Sequence, residues 1–216
     1  EKEDALAAEE EEIKHLLLSA LPTRIVTALR SGDRELLDLV DTATVITFDV
    51  DPKGIDEEAG IELSTEFSQR IESIAERLGV ERVRSSSNQH IFASGLDTPE
   101  TAADLAADFA LQVVEAVDEL REKHGVELTY RAGMSAGHVI AGLLSADQLT
   151  YGVFGDPPRA ALALAGVAGP NQILIDNETA ADLDGAWILE TTTGLVDLQG
   201  SELTAKMLLG SAAAAN

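Results

Sequence analysis

The chain has 216 residues, of which 45% are hydrophobic and 4% aromatic, and it carries a formal net charge of −24 at pH 7. This length and aliphatic content allow one domain with a full core plus an additional element. The negative charge argues against binding to nucleic acid or to an anionic membrane surface, because phosphate contacts need clustered Lys and Arg. The lack of cysteine excludes disulfides and thiolate zinc sites.

The sequence also bears on where the chain resides. No segment approaches the roughly 18 consecutive apolar residues of a membrane-spanning helix, so we expect a cytoplasmic domain without direct membrane contact. The chain begins at Glu1 and not at Met, which indicates a piece of a longer protein. A signal segment or a membrane anchor could lie upstream, in which case this chain would be the cytoplasmic part of an anchored protein.

The first predicted element is a helix from residue 3 to about residue 30. Pro22 breaks or kinks it, and Gly32-Asp33 marks its end. A helix this short gains stability by pairing, which buries its apolar stripe. We treat residues 1–34 as a separate N-terminal segment. Its stripe has coiled-coil-like spacing and consists of Leu6, Ile13, Leu17, Ala20 and Leu21.

From residue 42 onward, strands and helices alternate. A β-branched run predicts a central strand at 44–50, and apolar residues at helical spacing predict a helix that ends at Gly79. Two helices between long and hairpin-paired strands indicate an α+β fold with helices packed on a mixed sheet. The further predicted elements are hairpin strands 80–84 and 90–93, a helix from 97–100 to Gly125, strand 128–135, helix 157–167, and strands 172–175, 186–190 and 195–198.

The most informative segment is 130–142, Y-R-A-G-M-S-A-G-H-V-I-A-G, followed by Y-G-V-F-G-D at 151–156. These segments resemble the central motif of class III nucleotidyl cyclases, commonly R-I-G-I-H-x-G-x-V-x-A-G and then Y-D-x-W-G-D-x-V-N-x-A-A-R. The segment L-L-L-S-A-L-P at 16–22 resembles the L-L-x-x-x-L-P that leads into many cyclase domains, and L-Q-G at 198–200 resembles the family's L-K-G. The resemblance extends over residues 16–208.

This resemblance implies a fold and a domain plan. Residues 40–209 would form a class III cyclase-like mixed sheet with packed helices and a ferredoxin-like core. Residues 1–34 would be a signalling helix that passes motion from an upstream sensor, and residues 210–216 are interpreted as a tail outside the fold. In this family two domains meet head to tail and bind ATP or GTP at their interface.

The resemblance also implies which positions would hold metal. Two family aspartates bind two divalent cations, which need carboxylate oxygens. The first position is Asp49, which survives, and the second is Asn88, whose amide brings no charge. The segment 52–55, P-K-G-I, replaces a Gly-Phe loop that cradles phosphate, and proline removes one amide donor there. Lys53 could compensate in part through its charge.

The positions that read the purine and stabilise the transition state are also changed. Arg84 stands where the family reads adenine with Lys or guanine with Glu, and it favours an adenine-type site. Gly152 stands at the second purine-reading position, usually Asp or a small polar residue. Arg159 replaces the transition-state Asn and Ala163 the transition-state Arg. His90, which follows Asn88 by two residues, is interpreted as a strand histidine and not as a ligand.

We therefore predict a degenerate cyclase domain that dimerises and regulates or relays a signal without making cyclic nucleotide. The partner would be a second copy or another cyclase domain. No cofactor is expected, and Mg²⁺ or Mn²⁺ would serve any residual activity. Two alternatives stay open. One is a weakly active adenylate cyclase that uses Asp49, Arg84 and Arg159 with one metal, and the other is a non-catalytic sensor that binds ATP or GTP.

Overall fold

The elements of this computed structural model follow one another along the chain, over the described residues 2–33, 36–86, 88–145, 150–184, 186–196, 200 and 202–212. A 3₁₀ turn at Pro99–Thr101 leads into the helix that begins at Ala102. In chain order the elements are α1 Lys2–Ala20, α2 Thr23–Arg30, β1 Leu37–Lys53, α3 Glu57–Leu78, β2 Glu81–Ser85, β3 Gln89–Ser94, α4 Ala102–His124, β4 Glu127–Ser145, β5 Thr150–Gly155, α5 Asp156–Val167, β6 Gln172–Ile175, α6 Asn177–Asp182, β7 Trp187–Val196 and β8 Glu202–Ser211.

The eight strands in the described part of the chain form one sheet, in the order β2-β3-β1-β4-β6-β8-β7, with β5 paired to the outer part of β4. The pairing of β4 with β6 is parallel, and the other pairings are antiparallel. The prediction of an α+β fold with helices on a mixed sheet is therefore confirmed. The strands β1 and β4 are the long central pair.

One face of the sheet packs against α3 and α4. Successive strand side chains point to opposite faces, so Ile46, Phe48 and Val50 of β1 share this face. Phe48 and Phe92 both contact Phe109 of α4, with ring centroids 6.2 and 4.9 Å apart. Burial of each such aromatic side chain contributes roughly 1.5–3 kcal/mol to the stability of the folded state. This cluster is the main core.

The opposite face carries α5, and Gly133 of β4 allows its close approach. A Cβ at Gly133 would lie 2.1 Å from the carbonyl oxygen of Ala161 and 2.6 Å from the backbone nitrogen of Ala165. Gly142 serves a similar purpose further along β4, where a Cβ would lie 1.7 Å from the carbonyl oxygen of Leu36. Two glycines of the 130–142 motif thus have a packing role.

The N-terminal segment forms two helices, and Pro22 separates them, as the sequence predicts. Leu21, Ile25 and Val26 are buried against Leu36 and Leu143 of the domain. Ile13 of α1 is exposed, and the side chain of Leu6 is outside the described ones. Among the described helices, none has the length and apolar character required to cross a membrane.

Several sequence predictions need correction. The strands predicted at 186–190 and 195–198 are one strand, β7, whose register with β8 shifts near Gly194. The strands β5 and β8 and the helix α6 were not predicted. Gly210 and Ser211, assigned to a tail, are the last residues of β8 and pair with β7. Residues 198–199 of the L-Q-G motif and residues 213–216 lie outside the described residues.

Candidate functional site

Asp49, the first predicted metal ligand, lies near the end of the buried part of β1. The strand register places it between Gln89 of β3 and Arg131 of β4. The Gln89 amide donates from Nε2 to Asp49 Oδ1 at 3.0 Å, and its Oε1 accepts from Arg84 Nη2 at 3.2 Å. Gln89 therefore links the predicted metal position to the predicted purine-reading position. Sequence reasoning missed this residue, although it directly follows Asn88.

Asn88, the second predicted metal position, lies at the same corner as Asp49. Its carbonyl oxygen accepts a hydrogen bond from the Val50 amide at 2.8 Å, and its side chain is exposed. The predicted hairpin between β2 and β3 is confirmed, while Ser87 of its turn is outside the described residues. Asn88 lines a cleft of about 490 Å³ together with Pro52, Ile61, Ser85 and hydroxyl groups of α3. The structure thus brings the two predicted metal positions together.

The residues at this corner do not fit a pair of divalent cations. Two adjacent dications require several carboxylate oxygens, which Asp49 and the uncharged Asn88 do not supply. One oxygen of Asp49 already accepts from Gln89, and the neighbouring Asp51 is paired with Lys53 at 3.3 Å. Within the described residues there is no group of three or more His, Cys, Asp or Glu that could hold a metal ion.

The start of α3, where the family resemblance implies a phosphate cradle, carries its own anion. Asp56 caps the helix and accepts from the Ala59 amide at 2.9 Å, and Glu57 and Glu58 occupy the first turn. A carboxylate at a helix N-terminus satisfies the same amides and the same dipole that would attract phosphate. Of the segment 52–55, Pro52 and Lys53 continue β1 and pair with β4, so the connection to α3 begins only at Gly54.

The second purine-reading position, Gly152 of β5, is covered by a neighbouring ring. Phe154 is two residues further along the strand and therefore on the same face. A Cβ at Gly152 would lie 2.4 Å from Cζ of Phe154. The phenyl ring thus occupies the space that a side chain at position 152 would need. Gly152 contributes no hydrogen-bonding side chain to this surface.

The two transition-state positions lie in the first turns of α5. The Arg159 guanidinium is paired with Asp156, and both side chains are more than four-fifths exposed. Ala163, one turn later, is partly buried and has no polar group. An exposed ion pair of this kind is worth at most about 1 kcal/mol, so it holds Arg159 only loosely. Neither position therefore presents a fixed hydrogen-bond donor.

His90 is a core residue, which agrees with its interpretation as a strand histidine. It is fully buried, its ring lies 5.2 Å from the Phe67 ring, and its Nδ1 is 2.5 Å from Ser85 Oγ. Its Nε2 has no hydrogen-bond partner within the described structure. Burial lowers the pKa of His90 below its ordinary value, against the opposing charges of Glu72 and Asp49. The folded chain therefore holds this imidazole neutral.

We predict a pH dependence of stability that His90 causes. The unfolded chain binds a proton at His90 below pH 6.5, whereas the folded chain does not, so stability falls as pH drops through this range. His90→Phe should remove about 1 kcal/mol of the loss between roughly pH 7.5 and 5.5, measured by urea unfolding.

His138→Phe is the matched control, because His138 is largely exposed beside Asp41. Burial raises the pKa of Glu81, which makes the folded state bind its proton more readily and works in the opposite direction. The contribution of Glu81 is the same in the unchanged chain, in His90→Phe and in His138→Phe, so it cancels when their pH slopes are compared. An unchanged pH slope in His90→Phe would contradict the prediction.

Comparison with known proteins gives a consistent family. A model of the adenylate and guanylate cyclase catalytic domain matches residues 55–210. An adenylate cyclase from Mycobacterium tuberculosis is 26% identical over 207 residues, which cover 92% of this chain and 46% of the relative. A membrane guanylyl cyclase from Dictyostelium discoideum is 22% identical, over 86% of this chain and 13% of the relative. The chain thus spans less than half the length of these curated relatives.

Solved structures share the fold. The adenylyl cyclase CyaB from P. aeruginosa superposes with a TM-score of 0.73 at 17% identity, over 81% of this chain and 96% of that chain. The guanylate cyclase domain of RhGC from Catenaria anguillulae, solved with GTP, gives 0.71 at 18% identity, over 81% and 99%. A bacterial light-regulated adenylyl cyclase gives 0.73 at 15% identity, over 94% and 63%.

Proposed function

Because the chain belongs to the adenylate and guanylate cyclase catalytic-domain family, we propose that it is a degenerate member that dimerises and relays a signal without making cyclic nucleotide. Its partner is a second copy of the chain or another cyclase domain. Its input comes from a sensor elsewhere in the full-length protein through α1 and α2. The cytoplasmic location, free or as part of a membrane-anchored protein, stays a prediction.

The geometry of the catalytic positions supports the absence of turnover. Asp49 is bonded to Gln89, the α3 terminus is capped by Asp56, and Phe154 covers Gly152. Cyclisation of a nucleoside triphosphate needs donors and cations that are fixed where negative charge develops. At each of these three places this chain has a group that competes with the substrate or cation.

The observation that carries the dimer is an exposed apolar face on the arm that β1, β4 and β5 form together. Leu39 is opposite Ile140, and Ile140 is opposite Phe154, so the three side chains form a continuous row across the strands. Leu39 is 74% exposed. A contiguous exposed apolar patch on a protein surface marks an interaction site. We call this surface the apolar arm face; it consists of Leu37, Leu39, Ile140, Leu144 and Phe154.

We predict that a charge on the apolar arm face weakens the dimer. Leu39→Asp places a carboxylate in the row, directly beside Ile140, where a partner would have to desolvate it. Because Leu39 is largely exposed, the fold should tolerate the change. Sedimentation velocity over a concentration series should give a dimer dissociation constant at least about 100-fold larger than that of the unchanged chain.

Leu209→Asp is the matched control, because Leu209 is also an exposed leucine but lies on β8, which pairs with β6 and β7 and with no strand of the arm. It should leave the dissociation constant unchanged. If the purified chain stays monomeric at high concentration, the homodimer proposal is wrong, and if Leu39→Asp assembles as well as Leu209→Asp, the apolar arm face is not the interface. A chain that is monomeric alone but assembles with another cyclase domain would support the heterodimer.

A nucleotide-binding sensor is the second candidate, and the exposed Arg84 is the observation that favours it. Arg84 is bonded to Gln89 at the corner of the cleft, where its guanidinium could contact a base or a phosphate. Binding without turnover would raise the melting temperature in ATP or GTP. The shift should disappear in Arg84→Ala. A weakly active adenylate cyclase is the third candidate function, and its activity would depend on Asp49.

A further inference from the structure

The helix α2 is joined to the domain by one arginine as well as by its apolar face. Arg24 Nη1 donates to Asp38 at 2.7 Å, and its Nε donates to Glu81 Oε2 at 3.1 Å. Its Nη2 donates to the Tyr151 hydroxyl at 3.0 Å, and the guanidinium lies 5.7 Å from the centre of the Tyr151 ring. The Tyr151 hydroxyl in turn donates to Glu81. We call these four residues the Arg24 cluster.

The Arg24 cluster connects α2 to three strands at once. Asp38 is in β1, Glu81 in β2 and Tyr151 in β5. The Arg24 and Glu81 side chains are only 18% and 15% exposed, so their attraction is weakly screened. A planar guanidinium with several donors in fixed directions suits such bridging, which a lysine could not reproduce.

Two of these strands carry the positions where the family frame places purine recognition. Glu81 is three residues before Arg84 on β2, and Tyr151 directly precedes Gly152 on β5. Movement of the Arg24 guanidinium would therefore act on both strands through short and partly buried bonds. The inner parts of β1 and β4 are packed in the main core, whereas Asp38 lies at the outer end of β1.

We propose that Arg24 is a positioning residue that couples the placement of α2 to β2 and β5, and so to both nucleotide-facing positions. This inference rests on the proposed function, because it supplies the route from the N-terminal helices into the domain. Displacement of α2 breaks the contacts of Arg24 with Glu81 and Tyr151 together, and both strands lose a restraint.

The surroundings of the cluster include open space beside the link between α1 and α2. A cavity of about 480 Å³ lies beneath the link between α1 and α2, lined by Leu21, Pro22, Arg24, Glu81 and Phe92 among others. This space allows the link to move without compressing the core. Burial raises the pKa of Glu81, and the charge of Arg24 opposes that effect. Displacement of Arg24 would leave the Glu81 carboxylate buried without its cation, so the ion pair stabilises the docked position of α2.

Hydrogen–deuterium exchange on the whole chain tests the coupling, since it reports local opening segment by segment. Arg24→Ala should speed exchange at least about tenfold in α2, β2 and β5, and leave α3 and α4 unchanged. Arg30→Ala removes an exposed arginine from the same helix and is the matched control. It should change none of these segments.

Tyr151→Phe gives a second and more selective measurement. It keeps the ring beside Arg24 but removes the hydroxyl, so β5 should exchange faster while α2 stays protected. If Arg24→Ala speeds exchange throughout the chain, Tyr151→Phe becomes the test of whether the cluster restrains β5. Faster exchange confined to α2 in Arg24→Ala, or an unchanged β5 in Tyr151→Phe, overturns the proposal. Dimer assembly is measured separately by sedimentation, so failure of the dimer and failure of the coupling are distinguishable.

Discussion

Incubated with ATP or GTP and Mn²⁺, the purified chain is expected to form no 3′,5′-cyclic nucleotide beyond the amount formed by its Asp49→Ala variant. Asp49 is the carboxylate that remains at a predicted metal position, and it already accepts a hydrogen bond from Gln89. If no productive metal is held there, removing Asp49 removes nothing from catalysis. The two proteins should agree within error in a quantitative assay of cyclic product.

The size of the expected deficit follows from the changed positions. Loss of one fixed donor to a developing negative charge typically lowers the rate by about 10²–10³. Here Ala163 offers no donor, and Arg159 is paired with Asp156 on the exposed side of α5. Catalytic groups act as a unit, so these losses do not simply multiply. A rate at least about 10²-fold below that of an active cyclase domain is therefore a conservative expectation.

Asp51→Ala is the control for this comparison. Asp51 is two residues further along β1, on the same face, and is exposed beside Lys53. Product that vanishes in Asp49→Ala but persists in Asp51→Ala would overturn the proposal of an inactive domain. It would favour the weakly active adenylate cyclase, in which Arg84 and Arg159 take unconventional roles.

Elements with a strong local signal could be predicted from the sequence. The helix α3 has apolar residues every third or fourth position and ends before Gly79, and both features are local. The strand β7 appeared as two strands because its threonine run and Gly194 interrupt the apolar pattern. The glycines of β5 obscure its strand pattern, and they also belong to the motif at 151–156. Its place in the sheet depends on pairing with β4.

In the candidate site, too, some features have a local sequence signal and others depend on contacts between distant residues. The motif frame placed Asp49 and Asn88 at one corner, because strand register fixes the position of the backbone. The bond from Gln89 to Asp49 joins residues 40 positions apart and depends on side-chain rotamers. The Arg24 cluster joins residues even further apart, since Arg24 and Tyr151 are 127 positions apart in the sequence. Periodicity and spacing carry no information about such contacts.

Gly133→Ala is expected to destabilise the chain by about 3 kcal/mol or more, because it forces a methyl group into the backbone of α5. The new Cβ would lie 2.1 Å from the Ala161 carbonyl oxygen and 2.8 Å from the Leu164 Cβ. No rotation of a side chain can relieve a clash with helix backbone, so α5 must move away from β4. This movement would expose Ala161 and Leu164, which are buried between α5 and the sheet.

Gly166→Ala is the matched control, since it introduces the same methyl group in α5 itself. Gly166 is exposed, and a Cβ there would have no heavy atom within 4 Å. Alanine is the better helix former, so this variant should gain roughly 0.5–1 kcal/mol of stability.

Urea unfolding at one fixed protein concentration compares the unchanged chain, Gly133→Ala and Gly166→Ala, because assembly alters apparent stability. Equal midpoints for Gly133→Ala and the unchanged chain would mean that α5 does not rest on β4 at Gly133. The glycine would then have to be explained by a partner surface or a ligand and not by packing within the domain.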